Sequence, residues 1–320
     1  MKTTITFARN SIPELLFILL TLACFALSPT ARGQLPSPAP DGGYPNGNTA
    51  EGDFALQSLT TGTFNAALGF GALFSNTEGS ENTATGAGAL LSNTLGTRNT
   101  AHGLVALFSN TEANDNTAVG WGALFSNTGS DGSDNTAVGS QALLHNVAGF
   151  DNTAVGFQAL FNNTTITGTS GNGNTAIGSD ALFNNTTGSA NTAVGSSALN
   201  AFAGGNNNNT AIGNNALTNM TAGGGNVAVG GNVGTAHTSG NNNIYIGAEV
   251  SGVAVEDNHT YIRNINTTGV SGGGTDTVTI NLTTGLLGHL SSSRRYKEEI
   301  KPMERASEAL YRLKTSQLPL

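Results

Sequence analysis

The chain has 320 residues, of which 10% are charged, 6% are aromatic and 44 are glycine. That mixture excludes a conventional globular core, which needs more large apolar side chains, and a disordered chain, which carries more charge and proline. The formal net charge is −8, and between Asn48 and Gly247 one basic residue, Arg98, stands against ten acidic ones, so this stretch lacks the cations that binding to nucleic acid requires.

The first predicted element is an export signal over residues 1–33. Lys2 and Arg9 form a basic n-region, Leu15 to Leu27 an apolar h-region, and Ala31-Arg32-Gly33 a small-residue cleavage site, so the mature chain is expected to begin at Gln34. The apolar run is shorter than the roughly 20 residues of a membrane span. The single cysteine, Cys24, lies inside this signal, and Thr21 stands where a lipoprotein signal needs a branched aliphatic residue. The mature chain is therefore expected to have neither disulfides nor thiolate chemistry, no membrane span, and a secreted or cell-surface location. Residues 34–47 read as a disordered linker.

From Asn48 the chain repeats itself. A leading Asn recurs at 48, 65, 82, 99, 116, 135, 152, 174, 191, 209, 226 and 243, a step of 17 residues with departures of 18, 19 and 22. Self-similarity at a fixed period marks a solenoid. Seventeen residues are too few for a pair of helices. Each unit carries two short apolar pieces, as in Thr117-Ala118-Val119-Gly120 and Ala123-Leu124-Phe125, separated by Gly, Asn, Thr and Ser that suit turns. The expected fold is mainly β: a parallel β-solenoid over 48–247 of about twelve coils, each of two short strands. At the ordinary strand spacing such a rod is about 50 Å long.

Stacking puts each repeat position over the same position in the next coil. The leading Asn is expected to form a ladder of side-chain amides, and the Ala at position three and Gly at position five to lie where the coil is thinnest. The extra residues of the longest repeat, around 162–167, are expected to loop out at a turn. Position six is apolar early and polar late (Phe70, Ala87, Leu104, Trp121, then Ser140, Phe157, Ser179, Ser196 and Asn214). Together with Leu73-Phe74, Leu90-Leu91, Leu107-Phe108 and Leu124-Phe125, it gives more apolar surface than one thin coil encloses. The expectation is burial against a partner chain, with an apolar ligand-binding stripe as the alternative.

The repeated Asn-Thr-Ala-Val-Gly-x-x-Ala-Leu resembles the head repeats of trimeric autotransporter adhesins of the YadA type. The resemblance covers about 48–247 and implies a left-handed β-roll in which three chains pack side by side. The family's head period is shorter, and its coiled-coil stalk and membrane-anchor barrel have no counterpart in this sequence.

Beyond the repeats, 248–290 reads as a β connector: the stretches around Tyr245, Tyr261 and Val278 alternate apolar and polar residues as half-buried strands do. Residues 291–320 change character. Basic residues gather after Arg294, Pro302 suits a first helical position, and Met303, Ala306, Leu310 and Leu313 share one face of an amphipathic helix. With Ser292 five residues before Lys297, followed by Glu298-Glu299-Ile300-Lys301-Pro302, the segment resembles the start of the self-cleaving intramolecular chaperone domain of endosialidases and phage tailspikes. The resemblance implies Ser292 as nucleophile, Lys297 as its base and cleavage before Ser292. Such a Lys must be held neutral to act, and Arg294 and Arg295 are the neighbouring charges available for that. The family's domain is longer, so 291–320 reads as a truncated form.

Other chemistry is weaker. His102, His145, His237, His259 and His289 have no metal-ligand spacing, and no metal or cofactor is expected. Asp131-Gly132-Ser133-Asp134 and Asn114-Asp115-Asn116 read as turns rather than Ca²⁺ sites. Gly223-Gly224-Gly225 follows no nucleotide-binding strand–helix unit, and Asn185-Thr186-Thr187 is a by-product of the repeat. The leading expectation is an exported homotrimeric fibre, structural and adhesive, that contacts a host surface, matrix or glycan. The alternatives are a serine peptidase that cleaves its own C-terminus once, and a polysaccharide- or ice-binding solenoid whose second-position Thr faces solvent.

Overall fold

The computed structural model describes residues 44–164, 171–205, 207–264, 278–280 and 287–289. It falls into two units, Met1–Arg263 and Asn264–Leu320. In the first, thirteen three-residue strands form one parallel sheet in strict chain order. They are β1 (Thr49–Glu51), β2 (Ala66–Leu68), β3 (Thr83–Thr85), β4 (Thr100–His102), β5 (Thr117–Val119), β6 (Thr136–Val138), β7 (Thr153–Val155), β8 (Thr175–Ile177), β9 (Thr192–Val194), β10 (Thr210–Ile212), β11 (Val227–Val229), β12 (Ile244–Ile246) and β13 (Thr260–Ile262). The expected solenoid is the fold, and its sheet runs one strand past Gly247, to Ile262. A short 3₁₀ turn, Pro45–Gly47, precedes β1. In the second unit, β14 (Val278–Ile280) pairs antiparallel with β15 (Leu287–His289). The signal segment, Ser292, Lys297 and the expected C-terminal helix lie outside the described residues.

Register follows the repeat. Ala84 lies opposite Ala101, Ala101 opposite Ala118 and Ala118 opposite Ala137. The stack holds across the longest repeat, where Thr153 still pairs with Thr175; of the extra residues there, 165–170 lie outside the description. The middle strand residue points inward, and Ala67, Ala84, Ala101 and Ala118 are fully buried. Gly103 shows why position five is glycine. Its φ is +140°, and a Cβ there would lie 2.4 Å from the Gly120 carbonyl oxygen of the next coil. Both the conformation and the close approach exclude a side chain.

The second apolar piece of each repeat is not a strand, and this corrects the expectation of two strands per coil. Its Leu adopts a left-handed backbone, with φ of 51° at Leu73, 50° at Leu107 and 52° at Leu124. That conformation costs a non-glycine residue about 1–2 kcal/mol. Full burial of the same side chains returns about 1.5–3 kcal/mol each. The cross-coil backbone ladder also survives the turn: Leu73 N–H donates to the Ala89 carbonyl at 3.0 Å and Ser75 N–H to the Leu91 carbonyl at 3.0 Å. These leucines, counted in the sequence as surplus apolar surface, are therefore the core itself, because the left-handed turn swings them inward.

The leading Asn forms the expected ladder. Asn65 N–H and Nδ2 both donate to Asn48 Oδ1, at 2.9 and 3.1 Å, and Nδ2 also donates to the Gly79 carbonyl at 2.8 Å. The pattern recurs through Asn82, Asn99, Asn116 and onward to Asn243. A second ladder, not anticipated from the sequence, runs through Asn76, Asn93, Asn110, Asn127, Asn146, Asn163 and Asn185. Asn76 Nδ2 donates to the same Gly79 carbonyl that Asn65 uses, so one acceptor ties the two ladders together. Burying so many amides is tolerable only because each finds partners; an orphaned one costs about 1–3 kcal/mol.

Candidate functional site

Side chains at positions one and three of each strand point away from the core, so the sheet presents two columns outward. The first is mainly threonine, and Thr49, Thr83, Thr100 and Thr260 are exposed while Thr117 to Thr210 are half-buried. The second is mainly aliphatic, with Leu68 42%, Ile177 40%, Ile212 41% and Ile246 42% exposed. Strand stacking spaces both columns at about 4.8 Å. Thr85 and His102 interrupt the second column, and Val119, Val155 and Val194 in it are half-buried.

Around the corner runs a second apolar stripe. Leu91, Val105 and Phe108 form a small cluster against Phe74, Trp121 and Phe125. The rings stack along the rod: Phe108 lies 5.1 Å from Phe125, and Phe161 lies 5.0 Å from Phe183. Part of the expected apolar surplus is thus covered by its own neighbours in the stack. Leu104 and Phe157 remain 46% and 50% exposed.

The turn edge carries charge. Arg98 pairs with Asp115 through Nε at 2.6 Å and a second guanidinium nitrogen at 2.7 Å. That hydrogen bond, aided by opposite charge, raises the Arg98 pKa and lowers that of Asp115. In later coils the same edge turns to amides: a shallow groove of about 620 Å³ is lined by Gly205, Asn207, Asn208, Gly224, Gly225, Asn241 and Asn242.

The last coils replace the repeat's interior. Phe202, Met220 and His237 occupy the second-ladder position after Asn185, and Tyr245 takes the place of a strand alanine; all four are fully buried. Tyr245 Oη donates to Glu256 Oε1 at 2.6 Å and Tyr261 Oη to Glu256 Oε2 at 2.7 Å. The Tyr245 and Tyr261 rings stack at 5.5 Å. Burial, followed by the bond to Glu256, pushes the Tyr245 hydroxyl pKa up, and the bond to Glu256 raises that of Tyr261. Burial acts to raise the Glu256 pKa, but hydrogen bonds from both tyrosines and from Val253 N–H, with the nearby His259, outweigh it and leave it lowered.

The residues weighed in the sequence do not converge. Among the described residues, no group of three His, Cys, Asp or Glu is placed to hold a metal. His102 is exposed on the sheet, His145 packs on Phe161, and His237 is buried. The triplet Asn114-Asp115-Asn116 diverges: Asn114 accepts the Thr97 N–H, Asp115 takes Arg98, and Asn116 joins the interior ladder. Asn185 is also a ladder member. The catalytic pair Ser292 and Lys297 lies outside the described residues. The second Asn ladder had a readable signal, an Asn two residues after each Leu-Phe or Leu-Leu, whereas the tyrosine–glutamate network left no periodic trace.

Fold and surfaces define a parallel β-solenoid repeat protein. No protein-family model matches the chain, and comparison with curated proteins and with solved structures gives no match either.

Proposed function

We propose that the chain is an exported, cell-surface fibre of the kind its repeats resemble, in which three copies pack side by side and the assembled rod acts as a structural and adhesive module. The observation that carries this reading is the exposed aliphatic column of the sheet, from Leu68 through Ile177 and Ile212 to Ile246. Sister chains that cover it remove its exposed aliphatic area from water, a gain of about 25 cal/mol per Å². Adhesion then falls to the surfaces left outside, with the amide-lined groove at Asn207 and Asn241 suited to a neutral, polar ligand such as a glycan, and with many weak contacts added along the rod.

Sedimentation equilibrium of the full-length chain tests the assembly. The expected mass is three times that of one chain, falling towards one in a variant with Ile177→Lys and Ile212→Lys. A monomer at every concentration overturns the reading.

The outward Thr column favours a second reading on the same face, a solenoid that binds a polysaccharide surface or ice. The two compete for one surface. A monomer that co-sediments with insoluble glucan, or that shows thermal hysteresis, supports the second and removes the first.

A further inference from the structure

Among the described residues, the buried side chains able to titrate are His237, Tyr245 and Glu256, and all three belong to the final coils. The Glu256 carboxylate accepts Tyr245 Oη at 2.6 Å, Tyr261 Oη at 2.7 Å and the Val253 N–H at 3.0 Å. Its backbone closes the end of the Asn ladder, since Asn243 Nδ2 donates to the Glu256 carbonyl at 2.7 Å. His259 Nδ1 stands 3.9 Å from Glu256 Oε2. Across the Tyr245 ring lies His237, 5.5 Å away. Its Nδ1 is 3.3 Å from the Val253 carbonyl and its Nε2 is buried without a partner. The nearby ion pair of Arg263 and Glu249 lies outside, on the surface.

We propose that Glu256, Tyr245 and Tyr261 form an acid-releasable latch on the C-terminal end of the rod. With Glu256 ionised, three donors converge on one carboxylate and hold residues 237–263 against the last Asn rungs. Protonation puts a hydrogen on an acceptor that faces hydroxyl donors, and residues 237–263, with the last rung at Asn243, open while the rungs before them remain.

The sign follows from the direction of the Glu256 shift. A carboxylate held below its ordinary value of 4.5 contributes its stabilisation above that value and loses it as pH falls through the lowered one. The tyrosines act oppositely. Their raised pKa values keep the latch intact below the ordinary tyrosine range and release it only in strong alkali. The inference rests on the closed coil alone and stands whether or not three chains associate.

Hydrogen exchange of the full chain, corrected for intrinsic rates, tests it in a series from pH 7 down to pH 2. Peptides across 237–263 are expected to lose protection at a higher pH than those across 82–160, in a step below the ordinary carboxylate value. Glu256→Gln is expected to show low terminal protection throughout the series, with no acid step. Tyr261→Phe keeps the buried phenol of Tyr245, removes one donor and is expected to move the midpoint of release to higher pH. Equal loss in both regions, an acid step retained in Glu256→Gln, or an unmoved midpoint in Tyr261→Phe overturns the proposal.

Discussion

The coils from Asn65 to Ala190 and the coils from Asn191 to Arg263 share one sheet and are held by different physics. In the first region every rung repeats the last. Ala and Leu fill the interior, two Asn ladders each bond rung to rung and share carbonyl acceptors, and no buried group titrates. In the second, the interior becomes Met220, His237 and Tyr245, and one carboxylate, Glu256, gathers the donors. Repetition keeps titrating groups out of the first region's interior, leaving the Arg98–Asp115 pair at its surface, and makes the region dependent on every rung. The second depends on a single network that has no copy to share its load.

That contrast can be broken most severely from the repetitive side. Gly103→Ala places a Cβ 2.4 Å from the next coil's carbonyl at a φ of +140°, and a loss of roughly 3–5 kcal/mol is expected. Thermal unfolding followed by circular dichroism measures it. Next comes Asn116→Ala, which strips the acceptor from Asn135 N–H and Nδ2 and the Nδ2 donor from Asn99 Oδ1, leaving only the backbone N–H of residue 116 on that oxygen. The expected loss is about 2–4 kcal/mol, read from chemical denaturation with Trp121, the single tryptophan, as the probe.

Glu256→Gln sharpens the comparison because its damage should stay local. An expected loss of about 1–3 kcal/mol is confined to peptides across 237–263, and the Trp121 signal keeps its wild-type midpoint. A shift of that midpoint would show that the two regions unfold as one. The smallest effect on the fold belongs to the outward column. Ile177→Thr with Ile212→Thr should change monomer stability by no more than about 0.5 kcal/mol yet lower the sedimenting mass. An unchanged mass would separate the aliphatic column from assembly.

Much of this was legible in the residues. The spacing of the leading Asn announced a stack, and the stack explains Ala67 and Ala84 inside and Gly103 at the corner. The aliphatic fourth position of the repeat forms the outward column, although Leu68 and Ile177 sit in sequence beside the buried Ala67 and Ala176. The Ala-Leu-Phe piece misled for a definite reason: its composition suits a strand, but Leu124 takes a φ of 52° that no propensity favours. Only burial in a coil offsets that conformation, and burial is a property of the closed stack.

The sequence by itself determined the period, the parallel register and the columns of Asn, Ala and Gly, because equal spacing lays like on like. Tertiary structure decided which way each leucine turns, that Asn76 and its successors face a carbonyl shared with the first ladder, and that Tyr245 meets Glu256 eleven residues on. Those choices depend on how the coil closes across its own width, and a repeat length records the climb from one coil to the next without recording that closure.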